Sequence, residues 1–300
     1  MKIPELRSSY DTVAGLVHFG RMIDKIRLYA AGALPNEYHP YLGDSEPLAF
    51  DGRCCRFLKI DYGTFVARAR LGGTDAELFG WACVHGRRPS EEEIEIWSAF
   101  MQKRGWRDSR VELLQEEALD AGITDHVVET FFDLHDAEEG RPARFPADPP
   151  PTALPPKKVT HIPGLRSPWE TLGGIVHFGR MIDKIRLFQR NELPPAWIAS
   201  KATGFDGYCC RFLQVDYAAL EEQVVKGKSE REVLDWAFAN GRKPNDEEIE
   251  IWNAYLSKRC WRDRYTDRLH ARMEEVGMPI GSVYTMFDFI DLDEGRPMRP

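Results

Sequence analysis

The sequence predicts an all-α protein: two homologous helical-bundle domains of about six helices each, in tandem. Three observations carry this. Gly15-Leu-Val-His-Phe-Gly-Arg-Met-Ile-Asp-Lys-Ile-Arg-Leu28 recurs as Gly174 to Leu187 with a single Leu/Ile change. Further blocks follow in the same order: Phe50 to Tyr62 against Phe205 to Tyr217, Gly86 to Asp108 against Gly241 to Asp263, and Glu139-Gly-Arg-Pro142 against Glu294 to Pro297. Helix start and stop signals recur at matching places in both copies, while strand signals are almost missing.

The offset between copies is 159 residues in the first block and 155 afterwards, so copy one carries four extra residues between Leu28 and Phe50. The insertion reads as a loop. Ala143 to Leu165 holds seven prolines and favours extended polyproline geometry, a semi-rigid tether. The expected organisation is therefore a first module over 1–142, a Pro-rich linker over 143–162 and a second module over 163–300.

The elements follow in order. Ser167-Pro-Trp-Glu170 carries an N-cap, a proline at the first helical position and a glutamate three residues on, so the spacing predicts a helix from there to about Gln189. Cys55 to Ile60 is the one strand candidate. Asp61 and Asp216 cap a short helix ending at Gly72 or Gly227. Thr74-Asp-Ala-Glu77 and Ser229-Glu-Arg-Glu232 are capping boxes whose helices end at Gly86 and Gly241, read as left-handed stops. Ser90 and Asn245 open a fourth helix to about Arg104 or Arg259, with Ile94, Trp97 and Met101 as its apolar stripe. Asp108 and Asp263 are expected to cap a fifth, and a sixth runs to about Glu138 and Asp293.

A formal charge of −8 and a pI near 5.6 deny the surface the electrostatic footprint of nucleic-acid binding. No apolar run approaches the ~18 residues of a membrane helix, and Met1-Lys-Ile-Pro-Glu lacks a signal-peptide core; no membrane partner and a cytoplasmic location are expected. Four of the six cysteines are the adjacent pairs Cys54/Cys55 and Cys209/Cys210, which is no disulfide framework. Cys54-Cys55 beside Arg56 can be read as an activated thiol or as small buried hydrophobes. No zinc ligand set is complete, so no metal is assigned, and no cofactor motif is present.

On a helical wheel His18, Arg21 and Lys25 fall within about 60° of one another, with Asp24 further round. His177, Arg180, Lys184 and Asp183 repeat the arrangement. Such a cluster suits a small anion: arginine grips a carboxylate or phosphate bidentately, lysine adds a point charge and histidine moves a proton near neutral pH. On this reading His18, Asp24 and His39 are the acid/base candidates, and Arg21, Lys25, Tyr29, Arg53, Arg56, Arg107, His177, Arg180 and Lys184 hold the ligand. If one module carries the activity it is copy one, where Glu37, Tyr38 and His39 lie in the extra loop and Arg53 and Tyr29 stand where copy two has Tyr208 and Phe188. The rival reading makes the cluster architectural, with Arg21 and Lys25 paired to carboxylates such as Asp108 and His18 bonded to a loop carbonyl. A solvent-reachable cavity at the cluster favours the first reading, and fully paired, buried charges favour the second.

At Arg21-Met-Ile-Asp-Lys25, with the opening best seen at Leu165 to Gly174, the chain resembles the bacterial family catalogued as domain of unknown function 5069. The resemblance covers roughly 4–142 and 163–297. It implies a discrete, mostly helical domain and supplies no activity. The family's Gly-Glu-Tyr-His-x-x-Cys-Pro stretch survives in copy one only as Glu37-Tyr-His39, and copy two has Pro195-Ala-Trp197. The function expected is that of a tandem helical protein binding a small anionic molecule, with acid/base catalysis open to the same residues and the two modules pairing within the chain. The alternative is a non-catalytic interaction or scaffold module.

Overall fold

The computed structural model describes residues 3–44, 49–124, 128–148, 161–297 and 299. Most of the proline-rich tether expected at 143–162 lies outside the described residues. Contacts divide the chain into Met1–Ala147 and Asp148–Pro300. Each unit has its own core, built around Trp97, Phe19, Phe65 and Phe132 in the first and Trp252, Tyr255, Phe178 and Phe287 in the second.

The first unit runs β1 (Thr12–Val13), β2 (Leu16–Val17), α1 (Phe19–Ala30), a 3-10 turn (Asn36–Tyr41), α2 (Phe50–Leu58), α3 (Tyr62–Arg70), α4 (Asp75–His85), α5 (Glu91–Gln102), α6 (Val111–Asp120) and α7 (Phe131–Glu138). The second repeats it as β3 (Thr171–Leu172), β4 (Ile175–Val176), α8 (Phe178–Gln189), α9 (Pro195–Ile198), α10 (Gly204–Leu213), α11 (Tyr217–Val225), α12 (Glu230–Asn240), α13 (Asp246–Ser257), α14 (Thr266–Glu275) and α15 (Met286–Asp293). The four-residue insertion accordingly separates a 3-10 turn from the short α9. Asp61, Thr74, Ser90, Asp216, Ser229 and Asn245 cap the helices that their spacing predicts. Trp97 and Met101 are buried as expected, while Ile94 is half-buried beneath the first hairpin, 3.5 Å from where a side chain on Gly15 would begin.

Four local expectations are corrected. The helix predicted from Ser167 begins only at Phe178. Ser167 and Glu170 close a turn on each other instead, and the antiparallel pairs Thr171↔Val176 and Leu172↔Ile175 come next. Gly173 and Gly174 sit at φ +61° and +80°, the two-residue hairpin turn that a helix cannot pass through.

The strand candidate at Cys55 to Ile60 belongs largely to helix α2. Asp51, Cys54, Cys55 and Leu58 are buried at three- and four-residue spacing, which is the helical signature.

Gly86 and Gly241 are not left-handed: their φ values are −120° and −124°. They are glycine because a side chain at either would begin 2.1 Å from the carbonyl oxygen of Leu58 or Leu213, where the chain docks through Arg87 N–H and Arg242 N–H at 2.9 Å.

Asp108 and Asp263 do not cap α6 and α14, whose first residues follow Arg110 and Tyr265 with no side-chain cap. Asp108 instead braces the preceding turn, accepting from Gly105 N–H at 3.1 Å and Arg110 N–H at 2.9 Å.

Candidate functional site

The hairpin and a left-handed residue place His18. At φ +62° it turns the chain from β2 into α1, its N–H donating to Ser9 O at 3.0 Å and its carbonyl accepting Met22 N–H at 2.9 Å. The ring is thereby directed inward, edge-on to Phe50 and stacked on Phe132. Its Nε2 lies 2.9 Å from Asp51 Oδ1, and Lys25 Nζ, two turns along α1, lies 2.8 Å from the same oxygen. Tyr41 O accepts from Lys25 Nζ at 3.0 Å, and Gly43 N–H donates to Asp51 Oδ2 at 3.3 Å. In the second unit His177 Nε2 lies 2.8 Å from Asp206 Oδ1 and Lys184 Nζ 2.6 Å from Asp206 Oδ2.

Burial drives His18 and His177 down to about 4 against the pull of Asp51 and Asp206, so both rings are neutral at neutral pH. Burial alone would raise Asp51, but Lys25 and His18 outweigh it and hold the carboxyl below its ordinary range. A neutral ring that donates from Nε2 carries its lone pair on Nδ1. That atom is buried and has no partner among the described residues in either unit.

Arg21 reaches a different carboxylate. It holds Glu139 through both terminal nitrogens, with Nη1 to Oε2 at 3.1 Å, and Nη1 also donates to Arg7 O at 2.8 Å. Glu139 further accepts from Arg141, whose other nitrogen donates to Leu6 O, and from the Tyr38 hydroxyl at 3.0 Å. Arg180, Glu294 and Arg296 repeat the clasp, with Trp197 Nε1 donating to Glu294 Oε1 at 3.0 Å. The Gly-Arg-Pro ending of each unit thus locks onto its own opening strand of chain. The carboxylates paired with Arg21 and Lys25 are Glu139 and Asp51, not Asp108, which lies 3.4 Å from Arg104. His18 bonds a carboxylate rather than a loop carbonyl.

The remaining candidates disperse. Asp24 is gripped by Arg7, Nε to Oδ2 at 2.6 Å, and Gly20 leaves the room for it, since a side chain there would begin 2.5 Å from Arg7 Nη1. His39 Nε2 lies 3.1 Å from Leu34 O, and its ring meets the exposed Tyr29 edge-on at 4.9 Å. Arg53 is buried with its guanidinium 5.3 Å from the Phe100 ring, Arg56 pairs with Asp44, and Arg107 lies over Trp106. All six cysteines are free and buried; burial raises Cys55 to about 12 and Cys54 well above its ordinary value, which removes the activated-thiol arrangement.

Asp51, Glu139 and Arg7, with Asp206, Glu294 and Arg166, are the partners that sequence reasoning missed. Asp51 could have been found, because it shares helical spacing with Cys54, Cys55 and Leu58. Glu139 lies 118 residues from Arg21 and no local pattern links them.

The sequence matches the domain of unknown function DUF5069 twice, over 3–141 and 162–296. The chain belongs to the DUF5069 family. Each DUF5069 match opens just ahead of the carbonyl groups that Arg141 and Arg296 engage, and each ends on that arginine. The boundaries of the domain are therefore the two halves of its clasp. No curated protein matches the chain.

Proposed function

We propose that this chain is a tandem, non-catalytic binding module in which the His/Lys/Asp and Arg/Glu clusters hold each bundle together and recognition falls to groups outside them. One observation carries the reading. His18, Arg21 and Lys25 are 1%, 3% and 4% exposed, and each is bonded to a carboxylate of its own unit. Their counterparts are paired in the same way. Buried charges arranged like this fix geometry, and a guanidinium already holding a bidentate carboxylate has little left for a ligand.

The test is thermal unfolding of the full chain and of Lys25→Met and Lys184→Met against a panel of small carboxylates and phosphates. The reading expects both variants to unfold earlier without ligand, since each strands a buried aspartate, and no panel member to act through either lysine. A compound that stabilises the wild type and Lys184→Met but not Lys25→Met would overturn it.

The unpartnered Nδ1 of His18 and His177 supports a second reading, in which the aspartate orients the imidazole and the free nitrogen takes a proton from a substrate. It requires the ring to become reachable. Exchange broadening of the His18 Nδ1 resonance on adding a substrate would favour it.

A further inference from the structure

Beside α6 and α7 the first unit holds a cavity of about 350 Å³, with Ile123, Val128, Ala137, Ala143, Arg141 and Arg144 in its walls. That volume falls within the range of sites for small organic molecules. One wall residue is smaller than its counterpart: Ala137 stands where the second unit has Leu292. Met278 and Val283 are buried in a continuous cluster, whereas Ile123 and Val128 are only half-buried.

The polar groups of the cavity differ in how far they are already engaged. Asp133 accepts the Tyr10 hydroxyl at 2.6 Å and Thr130 N–H at 3.0 Å. Asp136 accepts the Ser8 hydroxyl at 2.8 Å and lies 3.4 Å from Arg141, which also holds Glu139 and Leu6 O. Arg144 is exposed, its guanidinium 5.0 Å from the centre of the Tyr10 ring, and it has no ion pair among the described residues. A guanidinium stacked on an aromatic face keeps its N–H edge available to a planar, two-oxygen acceptor.

We propose that this cavity binds a small carboxylate with a short hydrocarbon body, the carboxylate on Arg144 and the body against Ile123, Val128, Ala137 and Ala143. The proposal rests on the reading that the buried clusters are not themselves the ligand site. Titrating hexanoate into the methyl-labelled full chain tests it. Shifts at the Ile123 and Val128 methyl groups are expected, with a dissociation constant of about 1 mM or below. Arg144→Gln, at an exposed position, should weaken binding about tenfold or more. Ala137→Leu, which installs the second unit's own residue, should abolish it while the remaining methyl spectrum stays folded.

Absence of shifts overturns the site and leaves the architectural reading standing. Equal binding of hexylammonium, or hexanoate binding unchanged in both variants, overturns the carboxylate assignment. Shifts lost in Lys25→Met but kept in Arg144→Gln would overturn the site and the architectural reading together.

Discussion

Tyr38 and Trp197 perform one task with unlike side chains: each donates to Oε1 of the clasp glutamate of its own unit, at 3.0 Å in both. The loops that carry them differ by four residues and by secondary structure, yet the donor arrives at the same acceptor. A buried carboxylate retains its donor even where the segment around it has changed.

Tyr38→Phe should therefore destabilise the first unit by about 1.5 to 3 kcal/mol, the usual scale for a hydrogen bond to a charged acceptor. Denaturant unfolding of the full chain, with each unit followed by its own methyl probes, measures this. An unchanged midpoint would mean that Arg21 and Arg141 satisfy Glu139 without it.

Asp51→Asn removes the counter-charge of a buried lysine and should cost roughly 3 to 5 kcal/mol. Equilibrium unfolding of the full chain reads the loss, and Asp206→Asn should reproduce it in the second unit.

Acid should weaken both units in a window set by the histidines. Their folded values of about 4 lie below the ordinary 6.5, so the unfolded chain binds more protons, and stability declines as pH falls from about 6.5 towards 4. Each histidine contributes about 3 kcal/mol over that span. Lys25 and Arg21 disfavour protonation of His18, and Asp51 favours it. Unfolding midpoints that stay level between neutrality and pH 5 would contradict the neutral-ring assignment.

Gly86→Ala and Gly122→Ala should differ. The first drives a methyl group into Leu58 O and should cost about 2 kcal/mol or more by strain. The second meets nothing within 4 Å at φ +70°, so only the left-handed backbone penalty applies, about 1 kcal/mol. Comparable losses for both would show that the Leu58 docking relaxes.

Much of the fold was legible because capping is local chemistry. Thr74, Ser90, Ser229 and Asn245 announce their helices within four residues, and the repeat fixes their order. The errors fell where another geometry overrode a local signal. Ser167-Pro-Trp-Glu170 is a sound capping sequence, but Gly173-Gly174 folds the chain back on itself as a hairpin before any helix can start. Reading α2 as a possible strand also concealed Asp51, the residue that joins His18 to Lys25. The clustering of His18, Arg21 and Lys25 was visible in the sequence. Their separation between Asp51 and Glu139 was not, because it depends on a closing segment more than a hundred residues away.

The clasp also bears on the order in which the molecule can be made. Leu6 O, Arg7 O and Arg21 emerge early in synthesis, yet Arg141, which donates to Leu6 O, and Glu139, which accepts from both arginines, come from the end of the unit. Until Glu139 leaves the ribosome, Arg21 lacks the carboxylate it pairs with in the finished unit, and burying it without that partner is costly. All members of the first clasp are therefore available before Glu294 and Arg296 of the second have been translated.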